Sequence, residues 1–335
     1  IKDTQVKDVK RLTEDQWSII DPTIRKAGSE VWILWNPQLQ SDFVQAKLPK
    51  LLGDDCAVQH INYDQNPFLS DTARKKAERL KAVDIDAYNH IYLGQALSND
   101  DAAVIKSTWI EAAVDAHIKL GLDLSGARTV GYDVADSGAD SNAATVFDGA
   151  ICHTLDEWKA PEDELVQSAK RAWSMVGNGR LIYDSIGVGA QVGSTLKEAG
   201  IAEGYYKFNA GAAVVHPDLE YAENVTNKEK FENLKAQAWQ DVADRFRNTY
   251  NAINKGMKYE PSELISISSD IDKLEQLKVE LSTPRKRYSK RGLDMVETKD
   301  ELAKRSIASP NLADSFIMGA CPHLVLETYS LSAWG

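Results

Sequence analysis

"TVGYDVADSGADSNAATVFDGAICHTLDEW", residues 129–158, decides how this chain is read. Residues 128–135 form an apolar run with the period of a strand. Alternation puts Val130, Tyr132 and Val134 on one face and Thr129, Gly131, Asp133 and Ala135 on the other. Asp133 therefore sits inside an otherwise buried strand. An ionised carboxylate in such a place is costly unless it is paired or bound to a metal. Residues 143–147 make a second strand and 150–155 a third. Asp148-Gly149 between them is a strong two-residue hairpin signal.

Working downstream, Pro161 followed by Glu162, Asp163 and Glu164 opens a helix that runs to about Val176. "RLIYD" at 180–184 is a fourth strand, and the glycine-bearing "SIGVGAQVG" turns into another helix. A three-strand meander followed by an αβ unit is the opening topology of the ribonuclease H-like fold, an α/β architecture with a central mixed sheet. Later segments read as a long helix over 228–255, a helix at 274–282, a hairpin with a basic tip at 283–299, and a helix at 309–320. That last helix takes Ser309 as N-cap and Pro310 as its first residue.

Asp184 closes its strand as Asp133 nearly closes its own, and Asp314 falls in the first turns of the last helix. One such acid alone is an ordinary turn or cap residue. Three on apolar elements in this order suit a shared divalent-cation site, because hard Mg²⁺ or Mn²⁺ prefers oxygen ligands. Two such ions activate water and stabilise the leaving oxygen in phosphodiester hydrolysis. Asp136 and Asp140 read as loop acids, Asp140 also as a further candidate ligand. "GVGAQVG" lacks the Lys-Ser/Thr ending of a phosphate loop. The scattered histidines pair with no serine or cysteine nucleophile, so acyl-transfer chemistry is rejected.

Upstream, "SEVWILWN" at 29–36 is a strand candidate, 70–95 and 107–117 read as helices, and 121–127 as a loop. A net charge of −11 on 335 residues argues against coating nucleic acid by bulk charge. It leaves room for local patches. "RKRYSKRG" at 285–292 is one, holding Arg285, Lys286, Arg287, Lys290 and Arg291, a cluster suited to backbone phosphates. The three cysteines are widely spaced and form no CxxC pair, so neither a disulfide framework nor a zinc site is suggested. They fit a reducing cytoplasm. No apolar run approaches the roughly 20 residues of a membrane helix, and the charged N-terminal "IKDTQVKDVKRL" has no signal-peptide core.

"YDVADSGADSNAA", "IYDSIGVGAQV" and "SPNLADSFIMG" resemble the three acidic motifs of the nuclease domain in tailed-bacteriophage terminase large subunits. "NAGAAV", "KAQAWQDVADRFRNTYNA" and "ELISISSD" are similar to the same family, in family order. "LTEDQWSIIDPTIRKAGSEVWILWNP" resembles the end of its packaging ATPase domain, with Asn36 at the motif that couples hydrolysis to movement. The resemblance implies a partial P-loop ATPase remnant with linker helices over 1–118, then a ribonuclease H-like nuclease domain over 119–335. It implies a metal-dependent endonuclease that cuts concatemeric viral DNA, with Asp133, Asp184 and Asp314 as ligands for two Mg²⁺ or Mn²⁺ ions. Lys299 resembles a lysine that approaches the metal site in relatives.

The implied partners are double-stranded DNA, the portal or procapsid and the small terminase subunit, in the cytoplasm of the bacterial host and not in the virion. The sequence departs from the family at the Walker motifs. There is no GxxxxGK[ST], and "QVKDVKRL" stands where paired acids belong. The chain is expected to begin inside the ATPase domain and to lack ATP hydrolysis of its own. Two other readings stay open: a non-catalytic packaging or portal-binding fragment, and another ribonuclease H-like enzyme such as an integrase or resolvase.

Overall fold

The computed structural model describes residues 4–5, 12–37, 40, 42–83, 85–96, 99–135, 141–159 and 165–326. The chain divides into two compact units, residues 1–102 and 103–335. The first unit is built of short pieces. Helix Glu14–Ile20 starts at a reciprocal cap between Thr13 and Gln16, and Trp17, Val44 and Leu48 form a small core. Its only described strand pairing joins Thr4–Gln5 in parallel to Val31–Trp32. Of the strand expected over 29–36, two residues form a strand, and among the described residues this unit shows only that two-stranded pairing. Of the helix expected over 70–95, the described residues show Asp71–Val83 and Ile85–Ile91 as helix; residue 84 lies outside the described residues. Tyr63 meets Tyr88 and Tyr92 edge to face.

The second unit begins ahead of the expected boundary at 118/119. Helices α1 (Ser107–Ala113) and α2 (Ala116–Leu120) belong to it. Ile105, Ile110 and Ala113 are buried in the same cluster as Trp239 and Phe246. The two helices were expected as one; Asp115, in the left-handed region at φ 53°, breaks them. Next come β1 (Arg128–Asp133), β2 (Asn142–Asp148) and β3 (Ile151–Trp158), an antiparallel meander. The described part of the helix expected at 161–176 is α3 (Leu165–Ser174); its start lies outside the described residues. Strand β4 (Arg180–Asp184) runs parallel to β1. A short 3-10 turn, Gly187–Gln191, opens α4 (Val192–Glu198). Strand β5 (Tyr205–Phe208) is parallel to β4.

The long helix expected from 228 starts later, as α5 (Leu234–Lys255), with Asn233 as N-cap. One turn, Asn227–Lys230, precedes it and ends where Phe231 turns extended. Strand β6 (Ser266–Ile267) adds in parallel to β3, giving the sheet order β6-β3-β2-β1-β4-β5. Helix α6 (Leu274–Ser282) follows, then the hairpin of β7 (Lys286–Tyr288) and β8 (Asp294–Val296). Helices α7 (Lys299–Lys304) and α8 (Asn311–Ala320) follow, and the described residues continue helical over 323–326. Among the described residues no helix is long and apolar enough to cross a membrane.

The sheet is covered on both faces. Val130, Tyr132, Leu181 and Tyr183 pack with Ala169, Ala172 and Leu196 of α3 and α4. Ala143, Phe147 and Ile182 share the other cluster with Val242, Phe246 and Phe316 of α5 and α8. Gly131 is what lets α8 lie so close to β1. A Cβ there would run into the Ser315 carbonyl and the Gly319 amide.

Candidate active site

The pairing of β1 with β4 matches Tyr132 to Tyr183, so the next residues, Asp133 and Asp184, end adjacent parallel strands. Helix α8 lies over β1 and carries Asp314 in its first turn. The three carboxylates line one cleft of about 450 Å³, together with Lys235, Lys299 and the apolar Phe208 and Met318. Asp133 is only 2% exposed. Asp184 is half-buried and its Oδ1 accepts the Ile186 amide at 3.0 Å, which fixes its rotamer.

Two ammonium groups face these acids. Lys299 opens α7, whose start is fixed by a reciprocal cap between Thr298 and Glu301. Its Nζ stands 3.6 Å from Asp133 Oδ2 and 3.7 Å from Asp314 Oδ2. Lys235, to which the sequence did not point, reaches Asp314 Oδ1 at 3.1 Å. A signal existed: "NLKAQAW" puts a cation in the first turn of a helix, where the macrodipole disfavours it.

Burial pushes the Asp133 carboxyl well above the usual carboxylate range. Lys299 opposes that shift, while Asp314 and Asp184 add to it. Burial also raises Asp184, against the pull of the Ile186 amide. Among the described residues, no three acid, cysteine or histidine side chains lie close enough together to grip one ion. Asp136 and Asp140 lie outside the described residues. The donor set in the cleft is nonetheless carboxylate oxygen, the ligand chemistry of Mg²⁺ and Mn²⁺. The Lys299 ammonium between Asp133 and Asp314 shows that positive charge is accommodated there.

Helix α8 is capped differently from expectation. Pro310, not Ser309, holds the N-cap position, and the Ser309 hydroxyl is buried with no hydrogen-bond partner. The free amides of Leu312 and Ala313 donate instead to Glu280 of α6, at 2.8 and 3.2 Å. A carboxylate at a helix N-terminus suits both the orphan donors and the dipole. This places a second-helix acid directly behind Asp314.

The family model described as phage terminase large subunit matches residues 1–95. No curated protein matches the chain. Among solved structures, the nuclease domain of the large terminase subunit gp2 of bacterial virus Sf6 is 29% identical with a TM-score of 0.61. The match covers 66% of this chain and 99% of that one. A variant of that domain with manganese and beta-thujaplicinol matches at 28% identity, TM-score 0.61, over 66% and 99% of the two chains. The gp2c piece of the bacteriophage Sf6 subunit with calcium matches at 28%, TM-score 0.60, over 66% and 100%. The chain is thus similar to phage terminase large subunits over its first 95 residues and to their nuclease domains over the second unit. Its mixed-sheet unit has the ribonuclease H-like fold of their nuclease domains.

In this chain the basic residues of 285–291 have divided duties. The Arg285 amide donates to Glu297, and the Arg287 guanidinium pairs with the buried Glu297 carboxylate at 2.9 Å. Arg305 pairs with the same carboxylate. Lys286 is half-buried on β7, while Lys290 and Arg291 are exposed at the hairpin tip. Arg291 also reaches Glu232 at 2.9 Å, and Lys230 meets Asp294 at 3.1 Å, so the hairpin is tied to the segment that leads into Lys235. Trp239 is buried core. Arg245 donates to the Leu264 and Ala320 carbonyls and pins the end of α8.

Proposed function

We propose that this chain is a divalent-metal-dependent DNA endonuclease of viral genome packaging, cutting concatemeric double-stranded DNA by two-metal phosphodiester hydrolysis. The observation that carries the reading is one cleft lined by Asp133, Asp184 and Asp314, with Lys299 between two of them. Those three acids would hold Mg²⁺ or Mn²⁺, with Asp140 a further candidate. When bound, two such ions activate a water and offset charge on the leaving oxygen. The chain's own residues do the rest. The apolar wall of Phe208 and Met318 limits water around the reacting phosphate. Lys299, at 45% side-chain exposure, has the reach to meet a phosphate at the cleft mouth. Lys286, Lys290 and Arg291 would hold backbone phosphates of the incoming duplex.

The partners that follow are double-stranded DNA, the portal or procapsid and the small terminase subunit, met in the cytoplasm of the host bacterium. Residues 1–118 carry no phosphate-loop motif, so ATP turnover is assigned to no residue of this sequence. The second reading is a non-catalytic packaging fragment. It is favoured by the absence, among the described residues, of three side chains poised on one ion. Plasmid cleavage with Mn²⁺, with Mg²⁺ and with chelator separates the two. The endonuclease nicks and linearises DNA only with metal; no cutting at high protein concentration favours the fragment.

A further inference from the structure

Lys235 is a cleft residue to which two-metal hydrolysis by three acids gives no role. Its backbone is fixed twice: its amide donates to the Ala210 carbonyl at 3.1 Å, and the Asn233 side chain caps the same turn through Ala236. The ammonium is thus held on the rigid first turn of the 22-residue α5, where the helix field disfavours a cation. A local rule broken at such a cost marks a functional position. Asp314 does not need Lys235 as a structural partner, because its other oxygen already faces Lys299. The Lys235 ion pair, at 3.1 Å, is longer than a committed ammonium–carboxylate hydrogen bond of about 2.7–2.9 Å. The side chain keeps 22% of its surface exposed, and it lines the cleft on the Oδ1 side of Asp314, whereas Lys299 meets Oδ2.

We propose that Lys235 is a second phosphate-contacting lysine of this cleft: it rests on Asp314 Oδ1, and gives up that oxygen when a divalent ion binds, its ammonium then meeting the phosphate being cut. This rests on the nuclease reading. It makes two demands at once. In the resting protein the ammonium and the ion compete for Asp314, so removing the charge tightens metal binding. In the loaded protein the ammonium acts on the reacting phosphate, so removing it slows the chemical step more than it weakens DNA binding.

The experiment uses the full chain with Lys235→Met, which keeps the apolar stem and deletes the charge, and Lys235→Arg, which restores a charge. Titration calorimetry with Mn²⁺, without DNA, is expected to show about tenfold tighter binding in the Met variant, as for the loss of a unit charge near a carboxylate. Plasmid cleavage at saturating Mn²⁺ is expected to show kcat down about 100-fold with KM within about threefold, and at least partial recovery in the Arg variant. Mn²⁺ affinity within about twofold of wild type overturns the competition and with it the proposal. So does an unchanged kcat, which would leave Lys235 a plain partner of Asp314. If wild type binds Mn²⁺ but cuts nothing, the nuclease reading and the phosphate role fall together. If wild type cuts and the Met variant matches it, only Lys235 is misassigned. A thermal midpoint checks that each variant is folded.

Discussion

Asp133 carries a severe charge problem. Its folded-state pKa is pushed up to about 8, first by burial and then by Asp314 and Asp184, against the pull of Lys299. In the unfolded chain the same group titrates near about 3.9. Between those values the folded state holds a proton that the unfolded state has lost, so metal-free protein loses stability as pH rises through that window. Asp133→Asn removes the titration. Thermal melts from about pH 4 to pH 8.5 without metal are expected to show a flatter profile for the variant, with a midpoint at least about 2 °C above wild type at pH 8. Plasmid cleavage by the same variant, and by Asp184→Asn and Asp314→Asn, is expected to be lost. Two variants that cut normally with Mn²⁺ would sink the acid assignment. The three acids were legible in sequence because each interrupts an apolar pattern at an element end. Lys235 was less so: its place in the first turn of α5 breaks a local rule, but nothing local names the distant aspartate that it meets.

Elements were legible where the signal is local and short, and less so where a break depends on one dihedral. The meander of β1 to β3 and the return in β4 follow from alternation and the Asp148-Gly149 turn. The helices that split did so at Asp115, a left-handed residue, and at the extended Phe231 before the Asn233 cap. The α8 cap is another such miss, since Glu280 lies 32 residues from Leu312. Glu280→Ala leaves the Leu312 and Ala313 amides without their acceptor and is expected to cost about 1–2 kcal/mol in denaturant unfolding. It should also lower cleavage by loosening the turn that holds Asp314, and Glu280→Gln, which keeps an acceptor oxygen, should recover most of both. Unchanged stability in the Ala variant would mean that the helix end finds another cap. The hairpin makes a contrasting pair. Lys286, Lys290 and Arg291 together changed to Ala should weaken DNA binding of all sequences alike and lower the log–log salt slope by roughly one unit for each phosphate no longer neutralised. Arg287→Ala should instead cost roughly 2 kcal/mol of stability, because it removes one of two arginines from the buried Glu297. A five-residue Ala variant would mix the two effects.

At the scale of the whole molecule, the division at 102/103 sets what can fold alone. The fragment 103–335 keeps Ile105, Ile110 and Ala113 in the core beside Trp239 and Phe246. A fragment starting at 119, the boundary suggested by sequence, lacks them. Emptying positions of buried isoleucines costs about 2–5 kcal/mol each, so the shorter fragment is expected to melt at least about 5 °C lower or to aggregate, while the longer one melts cooperatively and cuts DNA. Equal melting of the two would place the boundary back at 119. The sequence missed this limit because α1 is short and amphipathic, and nothing in its pattern names the partner that covers it. The close approach of Gly131 to α8 bears on how such a cleft can vary. No side chain stands between the two backbones, so the smallest exchange available, a single methyl, already exceeds the space. The gap between the strand acid and the helix acid therefore has no fine adjustment: it is kept or it is broken. What remains adjustable is charge, through Lys235 and Lys299 in the cleft and through Glu280 at the helix end that carries Asp314.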